Sequence, residues 1–264
     1  MNRILVGGLA VAALVAGPAM AADMPVKAPP PAPIWSWAGF YFGGEVGGAW
    51  GRGSDWSSDF NCAIGRLCDS VSPRPSGWVA GGQLGYRWQW GPWVLGLEGT
   101  LAATQLISND PSTCTPGVNT CIGIPGGFDV HYDTRLTSLY SATAQAGYAW
   151  GQTLWYVKGG WAGGELRRNA HDFLGPALAA TFDAGVTHRA MGYTVGTGLE
   201  WLVMKNLSIG IEYDYFHLHA GSFANFANTG TFAPAFLTNW SDVTMNVHQV
   251  VVRANVLVDW AVFR

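Results

Sequence analysis

The sequence predicts an all-β fold: an eight-stranded antiparallel transmembrane β-barrel with long extracellular loops. Apolar and polar residues alternate with a period of two in eight segments, which is typical of strands with one apolar and one polar face. The links between these segments are alternately short and long, as in outer-membrane barrels. Charged residues make up only 12% of the 264 residues, whereas soluble domains have about 25%.

The composition excludes several other classes of protein. Aromatic residues reach 13% and hydrophobic residues 49%, which is too much for a disordered chain. Beyond residue 22, no apolar run reaches the length of about 20 residues that a transmembrane helix needs. Lysine and arginine total 14 against 17 acidic residues and form no basic cluster, so no nucleic-acid partner is expected.

The chain begins with the pattern of a secretory signal peptide. A positive charge at Arg3 precedes a short apolar stretch, and the small residues Ala19 and Ala21 fit the rule for cleavage. The proline-rich segment that follows is expected to be extended, because proline cannot join the interior of a sheet. The predicted domains are a signal peptide at 1–21, a Pro-rich periplasmic tether at 22–36 and an outer-membrane β-barrel at 37–264.

Export permits disulfide formation, and the four cysteines fall into two close pairs within predicted long loops. Local pairing is the simplest of the three possible connectivities. No metal site is predicted, because the pairs lack the two-residue spacing of a zinc ligand pair and have no histidine close by. The predicted disulfide cysteines are Cys62 with Cys68 and Cys114 with Cys121.

The alternation is clearest in the first segment, where Phe40, Phe42 and Trp50 occupy one set of alternate positions, the apolar track. Glu45 and several glycines occupy the opposite track. The same pattern recurs in seven further segments, and in the fourth the apolar track begins at Leu136. The predicted strands are 40–50, 78–90, 93–101, 136–150, 155–161, 191–201, 207–215 and 250–260.

The links between the predicted strands give the barrel its orientation. Short links lie around Gly91, Gly151 and Lys205, and short links are found on the periplasmic side of outer-membrane barrels. Both ends of the barrel fall on this side. The long gaps, expected on the outer side, are about 51–77, 105–133, 166–188 and 218–244.

The charged residues within the predicted strands all fall on the track opposite the apolar one. An arginine or lysine facing lipid at the bilayer midplane costs about 2–4 kcal/mol, so this track is predicted to line the lumen. The lumen of eight strands is narrow, so opposite charges are expected to pair and to plug it, with a small gated pore as the alternative. The predicted lumen network is Glu45, Gln83, Arg87, Glu98, Lys158, Glu200, Glu212, Asp214 and Arg253, beside Thr143 and Gln145.

Tryptophan and tyrosine cluster on the apolar track near the predicted short turns. An indole at the headgroup interface can be half buried and still donate its hydrogen bond, so these rings are expected to form a girdle at the membrane surface. The same rings could form the core of a soluble periplasmic β-sandwich, which is the opposing prediction. The predicted aromatic girdle is Trp88, Trp90, Trp93, Tyr148, Trp150, Trp155, Trp201 and Trp260.

Two stretches resemble the small alphaproteobacterial outer-membrane immunogenic proteins, a family with haemin-binding relatives. The first is KAPPPAPIWSWAGFYFGGEVGGAWG, which contains Trp37, and the second is YTVGTGLEW followed by LSIGIEYDYFHL within 193–218. The resemblance implies an eight-stranded barrel of the OmpA type in the outer membrane of a Gram-negative bacterium. Its expected partners are outer-membrane lipids and lipopolysaccharide, with the barrel-assembly machinery during insertion.

The expected function is a structural and surface role in the cell envelope, with limited permeation of small solutes left open. No catalytic site is predicted, and haem is the one cofactor considered. A haemin-binding surface protein is an alternative function, with His217 and His219 as axial ligands. A hydrolase would need Ser222 and Asp214 beside these histidines, but a triad is defined by geometry that spacing alone does not supply.

Overall fold

Eight strands pair antiparallel in sequence order in the computed structural model of the chain, and the first also pairs with the last. The result is a closed barrel, which confirms the predicted fold class. The strands are β1 (Gly39–Asp59), β2 (Ser76–Trp90), β3 (Trp93–Cys114), β4 (Phe128–Trp150), β5 (Thr153–Leu174), β6 (Ala180–Met204), β7 (Leu207–Phe226) and β8 (Leu237–Val258). The structure describes residues 35–59, 72–114, 128–174, 180–226 and 237–258.

The chain divides into two units, residues 1–34 and 35–264. The first unit lies outside the described residues, and with it the predicted signal peptide and all of the predicted tether except its last two residues. In the described part of the chain, no helix is long and apolar enough to cross a membrane.

Tight turns join β2 to β3 and β4 to β5. Gly91 and Gly151 have φ angles of 59° and 64° in these turns. This left-handed conformation is strained for residues with a Cβ and is open to glycine. The third short link, between β6 and β7, contains Lys205, so all three turns lie where the sequence predicts them.

The strands are longer than the alternation predicts, and the predicted gap boundaries are wrong at their outer ends. β1 continues to Asp59 and β3 to Cys114, although the gaps were expected to begin near 51 and 105. The apolar track fades there because lipid no longer excludes polar side chains from the outer face. The strands nevertheless remain paired, because backbone N–H and C=O groups keep their hydrogen bonds along the ladder.

One position of the predicted apolar track is wrong. Leu136 points into the barrel and is only 1% exposed. The register between β4 and β5 shifts between Leu136 and Ser138. Such a bulge inserts an extra residue, so the side chains before it change face relative to those after it.

The interior of the barrel has three layers. Nearest the short turns is the turn-side apolar layer, and nearest the loops is the loop-side apolar layer, with the polar residues between them. The turn-side layer contains Trp37, Tyr41, Val94, Ala149, Leu154, Tyr156, Leu202 and Leu257. The loop-side layer contains Ala49, Val79, Ala102, Leu106, Leu136, Leu139, Ala162, Leu166, Ala190, Phe216, Leu218, Val243, Met245 and Val247.

The loop-side apolar layer differs from the prediction of a polar or small inward track. The sequence signal for that track came from charged residues that lie in the middle of the barrel; one further buried charge, Arg168, lies on the loop side, two residues beyond Leu166. Above them the interior is packed with aliphatic side chains, as in the core of a soluble protein.

Candidate functional site: the polar lumen

The nine side chains predicted for the lumen all lie inside the barrel, and none is more than 7% exposed. They come from seven of the eight strands, because strict alternation turns one residue in two inward. Their side chains lie in the middle layer, where seven of them form two groups of ion pairs. The nine residues are Glu45, Gln83, Arg87, Glu98, Lys158, Glu200, Glu212, Asp214 and Arg253.

The first group is built on Arg87 and Glu200. The Arg87 guanidinium donates to both carboxylate oxygens of Glu200, at 2.7 and 3.0 Å. Ser208 donates a third hydrogen bond to this carboxylate at 2.9 Å. The guanidinium carbon also lies 4.2 Å from the centroid of the Tyr41 ring, within the range of a cation–π interaction. The charge on each partner is thus neutralised without water.

The second group contains two basic and three acidic side chains. Arg253 donates to Glu98 at 2.5 Å and is also paired with Glu212. Lys158 lies between the same two carboxylates, 2.6 Å from Glu212 and 3.2 Å from Glu98. Asp214 is 3.3 Å from the Lys158 ammonium. Each base therefore contacts at least two acids, which makes the group a network rather than a set of isolated pairs.

Two tyrosines join members of the network, and Tyr41 connects its two groups. The Tyr41 hydroxyl donates to Glu98 at 2.7 Å and accepts a hydrogen bond from Gln145 at the same distance. Gln145 in turn accepts a longer hydrogen bond from Arg87, at 3.4 Å. The Tyr156 hydroxyl donates to Glu212 and accepts from Arg253 at 3.0 Å.

Glycines on neighbouring strands make room for these tyrosines. Tyr41 pairs across the ladder with Gly85, and Tyr156 pairs with Gly198. A Cβ at either glycine would collide with the hydroxyl of the tyrosine opposite. The excess of glycine noted in the sequence thus has a local reason at these two positions, where an aromatic ring lies over bare backbone.

Gln83 and Glu45 lie beside these groups, on the first two strands. Gln83 donates to Asn255 at 2.7 Å. Glu45 lies opposite Arg253 in the β1–β8 register, and its Oε2 makes no hydrogen bond with any described residue. Among the nine residues there are five acids and three bases, so the layer carries an excess of carboxylates.

Several residues of the lumen are absent from the predicted set. Trp37 is fully buried, its backbone N–H donates to Gln89 at 2.7 Å, and its ring lies 5.7 Å from the Arg87 guanidinium. It closes the interior on the turn side. Tyr41 and Tyr156 lie on the inward track, so alternation could have identified them. Among the other missed members are Ser208, Asn255, Thr194, Gln249 and Arg168.

Outside the barrel, seven of the eight predicted girdle residues point away from the lumen, with exposures between 38% and 62%. They lie beside the short turns, where Trp93 packs edge-on against Tyr148 with ring centroids 5.3 Å apart. The eighth, Trp260, lies outside the described residues. The seven are Trp88, Trp90, Trp93, Tyr148, Trp150, Trp155 and Trp201.

The predicted disulfides fall largely outside the described residues. Cys62, Cys68 and Cys121 are not among them, and Cys114 is described only as the last backbone position of β3. In the described part of the chain, no group of three or more His, Cys, Asp or Glu side chains is arranged to hold a metal ion.

The histidines considered for haem lie on the outer face of β7. His217 and His219 alternate with the buried Phe216 and Leu218, so both point away from the lumen. The Nδ1 of His217 is 2.7 Å from the Oδ1 of Asn246. Asp214 points into the lumen, so the sheet separates it from both histidines.

The exposed outer surface of this barrel is apolar between its aromatic residues, with Leu84, Leu97 and Leu101 each more than half exposed. At the level of this apolar band, the charged side chains point inward and are buried. A closed barrel with this inverted polarity is an integral outer-membrane β-barrel protein. The chain belongs to the outer membrane protein beta-barrel domain family, whose model matches residues 8–255. The protein is therefore located in the outer membrane, and both the predicted family resemblance and the predicted localisation are confirmed.

Two relatives and one solved structure illustrate the similarity. The chain is 28% identical to the 31 kDa outer-membrane immunogenic protein of Brucella melitensis, over 78% of this chain and 83% of that protein. It is 29% identical to the 22 kDa outer membrane protein of Rhizobium leguminosarum, over 77% and 76% of the two chains. The crystal structure of Ail from Yersinia pestis is 16% identical, with a TM-score of 0.36, over 83% of this chain and 99% of Ail.

Proposed function

We propose that this protein is a structural and surface component of the outer membrane whose lumen is closed to solutes. The observation that carries the proposal is the continuity of the Arg87–Glu200 group with the Arg253–Glu98–Glu212–Lys158 group. Together they cross the lumen with ion pairs between side chains that are at most 3% exposed.

The apolar layers support a closed lumen in a second way. An ion that passed the polar layer would meet Leu106, Leu136 and Phe216 on the loop side, all less than 5% exposed. On the turn side it would meet Trp37. An ion without its hydration shell is costly to transfer into such apolar surroundings, so both layers oppose permeation.

A catalytic role is not part of the proposal. The Brucella and Rhizobium relatives are named as outer-membrane proteins and not as enzymes. The acid and the histidines of the hydrolase alternative lie on opposite faces of β7, so they do not form the hydrogen-bonded chain that a triad requires.

Conductance measurements test the closed lumen. Protein refolded into vesicles, with folding verified by heat-modifiable migration on gels, is fused with planar bilayers and recorded at both polarities. We expect no conductance steps from the wild type. The triple variant Trp37→Ala/Arg87→Ala/Phe216→Ala, which removes one side chain from each layer, serves as the matched comparison. Reproducible steps from the wild type would contradict the closed lumen and favour a gated pore.

A further inference from the structure

Among the residues that the structure describes, five arginines point outward on the loop side of the barrel. All five side chains are exposed. Each has an outward-facing aromatic residue on the same strand, or on the segment that extends it. The arginine lies two to six residues beyond that aromatic residue, on the side away from the periplasmic turns. The pairs of arginine and aromatic residue are Arg52 with Trp50, Arg74 with Trp78, Arg135 with Tyr140, Arg167 with Trp161 and Arg189 with Tyr193.

The aromatic residues of these pairs mark the outer membrane interface. Trp50, Trp78, Trp161 and Tyr193 are each about half exposed on the face that meets lipid. Tryptophan and tyrosine prefer the level of the headgroups. A strand rises about 3.3 Å per residue, so the arginines reach the headgroups and the layer just beyond them.

The charge on this face is unbalanced. Among the outward side chains that the structure describes, Asp133 contacts Arg135 at 4.0 Å and Glu165 contacts Arg167 at 3.2 Å. Arg52 and Arg74 form no ion pair with any described residue. Arg189 forms none either, but it lies opposite Glu165 in the β5–β6 register, whereas Arg52 and Arg74 adjoin each other where β1 meets the segment leading into β2.

Arg52 and Arg74 lie directly opposite each other. The hydrogen bonds from Gly51 N to Pro75 O at 2.7 Å and from Gly53 N to Pro73 O at 2.8 Å flank them on both sides. The β1–β2 register thus continues past Ser76 and pairs the two arginines. Like charges in directly opposed positions destabilise a sheet. An anion between the two guanidinium groups would replace this repulsion with two charge-assisted interactions.

A third polar group lies on the other side of Arg52. Asn246 of β8 is the cross-strand partner of Arg52. Its Oδ1 is 2.9 Å from the Tyr215 hydroxyl and 2.7 Å from His217 Nδ1. Both contacts hold the amide through its oxygen, which leaves the amide nitrogen as a donor beside the arginine pair.

We propose that Arg52 and Arg74, with Asn246 beside them, bind a phosphate of lipid A, the phosphorylated glycolipid of the outer leaflet. Guanidinium groups match the geometry of phosphate oxygens with paired hydrogen bonds. Trp50 and Trp78 lie on the membrane side of the arginines, where the acyl chains of the same lipid begin. The proposal is independent of whether the lumen conducts, since it concerns only the outer face.

Lipid binding to the folded full-length chain tests the site. Protein in detergent micelles is titrated with bisphosphorylated lipid A, and the bound lipid is counted by native mass spectrometry. We expect Arg52→Gln/Arg74→Gln to weaken binding about tenfold, since two charge-assisted contacts are lost. Lys205→Gln, which removes a positive charge from a periplasmic turn, is the matched control and should bind as the wild type does.

Further measurements with another variant and with other ligands identify which chemical groups are bound. Arg52→Lys/Arg74→Lys keeps the charge but not the paired donors, and it should bind with intermediate affinity. Lipid A without phosphates should bind no better to the wild type than to Arg52→Gln/Arg74→Gln. Orthophosphate should not displace the intact lipid, because it lacks acyl chains to contact Trp50 and Trp78. The proposal would be overturned by wild-type affinity in Arg52→Gln/Arg74→Gln, by dephosphorylated lipid A binding the wild type as tightly as bisphosphorylated lipid A does, or by displacement with orthophosphate.

Discussion

Arg87 and Glu200 form an ion pair across the full width of the barrel. They lie on β2 and β6, which are four positions apart in a ring of eight strands. Both side chains are 0% exposed, and the guanidinium meets both carboxylate oxygens. The pair joins opposite walls of the barrel. Because both side chains are out of reach of water, water cannot hydrate either charge when its partner is removed.

Removing one partner of this pair should strongly destabilise the barrel. We expect Arg87→Met to lower the free energy of unfolding by about 3–5 kcal/mol, because Glu200 is left buried without its counter-charge. The double variant Arg87→Met/Glu200→Met should recover much of that loss. Urea titration in lipid vesicles, followed by tryptophan fluorescence, measures the free energy of unfolding of the wild type and of the two variants.

The exposed pair of Arg167 and Glu165 is the matched control for this cycle. Its side chains are 57% and 34% exposed, so Arg167→Gln should cost no more than about 1 kcal/mol. If Arg87→Met lowers the free energy of unfolding by as little as Arg167→Gln does, water reaches the lumen. That result would contradict a dry interior held by ion pairs.

The close approach of the Tyr41 ring to Gly85 gives a second prediction. A Cβ at Gly85 would lie against the Tyr41 hydroxyl and 2.7 Å from the carbonyl oxygen of Leu97. We expect Gly85→Ala to lower the free energy of unfolding by about 1–3 kcal/mol through overpacking. Gly44→Ala is the control, since its Cβ would have no neighbour closer than 3.7 Å. The same urea titration compares them, and equal stabilities would refute the proposed fit of the ring over Gly85.

The faces of the strands could be predicted from the sequence because lipid excludes charge from one of them. That single rule predicts the inward orientation of Arg87, Glu98 and Arg253 without knowledge of their ion-pair partners. The alternation fails where the rule stops acting, as at the outer ends of β1 and β3. It also fails at Leu136, since a bulge leaves no reliable trace in the hydrophobic pattern.

The pairing of the lumen residues could not be predicted from the sequence. Arg87 and Glu200 are 113 residues apart, and they meet only because the barrel closes with β2 opposite β6. Alternation gives the face of a side chain but neither its height nor its partner across the lumen. Trp37 was also missed, because it lies two residues before β1 and outside the predicted strand at 40–50, although it continues the inward track of Tyr41 and Glu45.

The positions of the histidines lead to a prediction about haem. His217 and His219 face outward, and the Nδ1 of His217 is held by Asn246. We expect that haemin added to the folded protein gives no shift of its Soret band, because the outer face of a strand encloses neither face of a porphyrin. A Soret shift in the wild type that is lost in His217→Ala/His219→Ala would contradict this and favour the haemin-binding alternative.

The lipid-facing surface is tested by placing a charge on it. Leu97 is 55% exposed on β3, four residues from the girdle residue Trp93 and four from Leu101, so it lies within the apolar band. We expect Leu97→Arg to lower the free energy of unfolding in vesicles by about 2–4 kcal/mol, the cost of an arginine near the bilayer midplane. Asn206→Arg, at the exposed turn between β6 and β7, introduces the same side chain into water and should change the stability little. If the two variants unfold at the same urea concentration, the Leu97 face does not meet hydrocarbon.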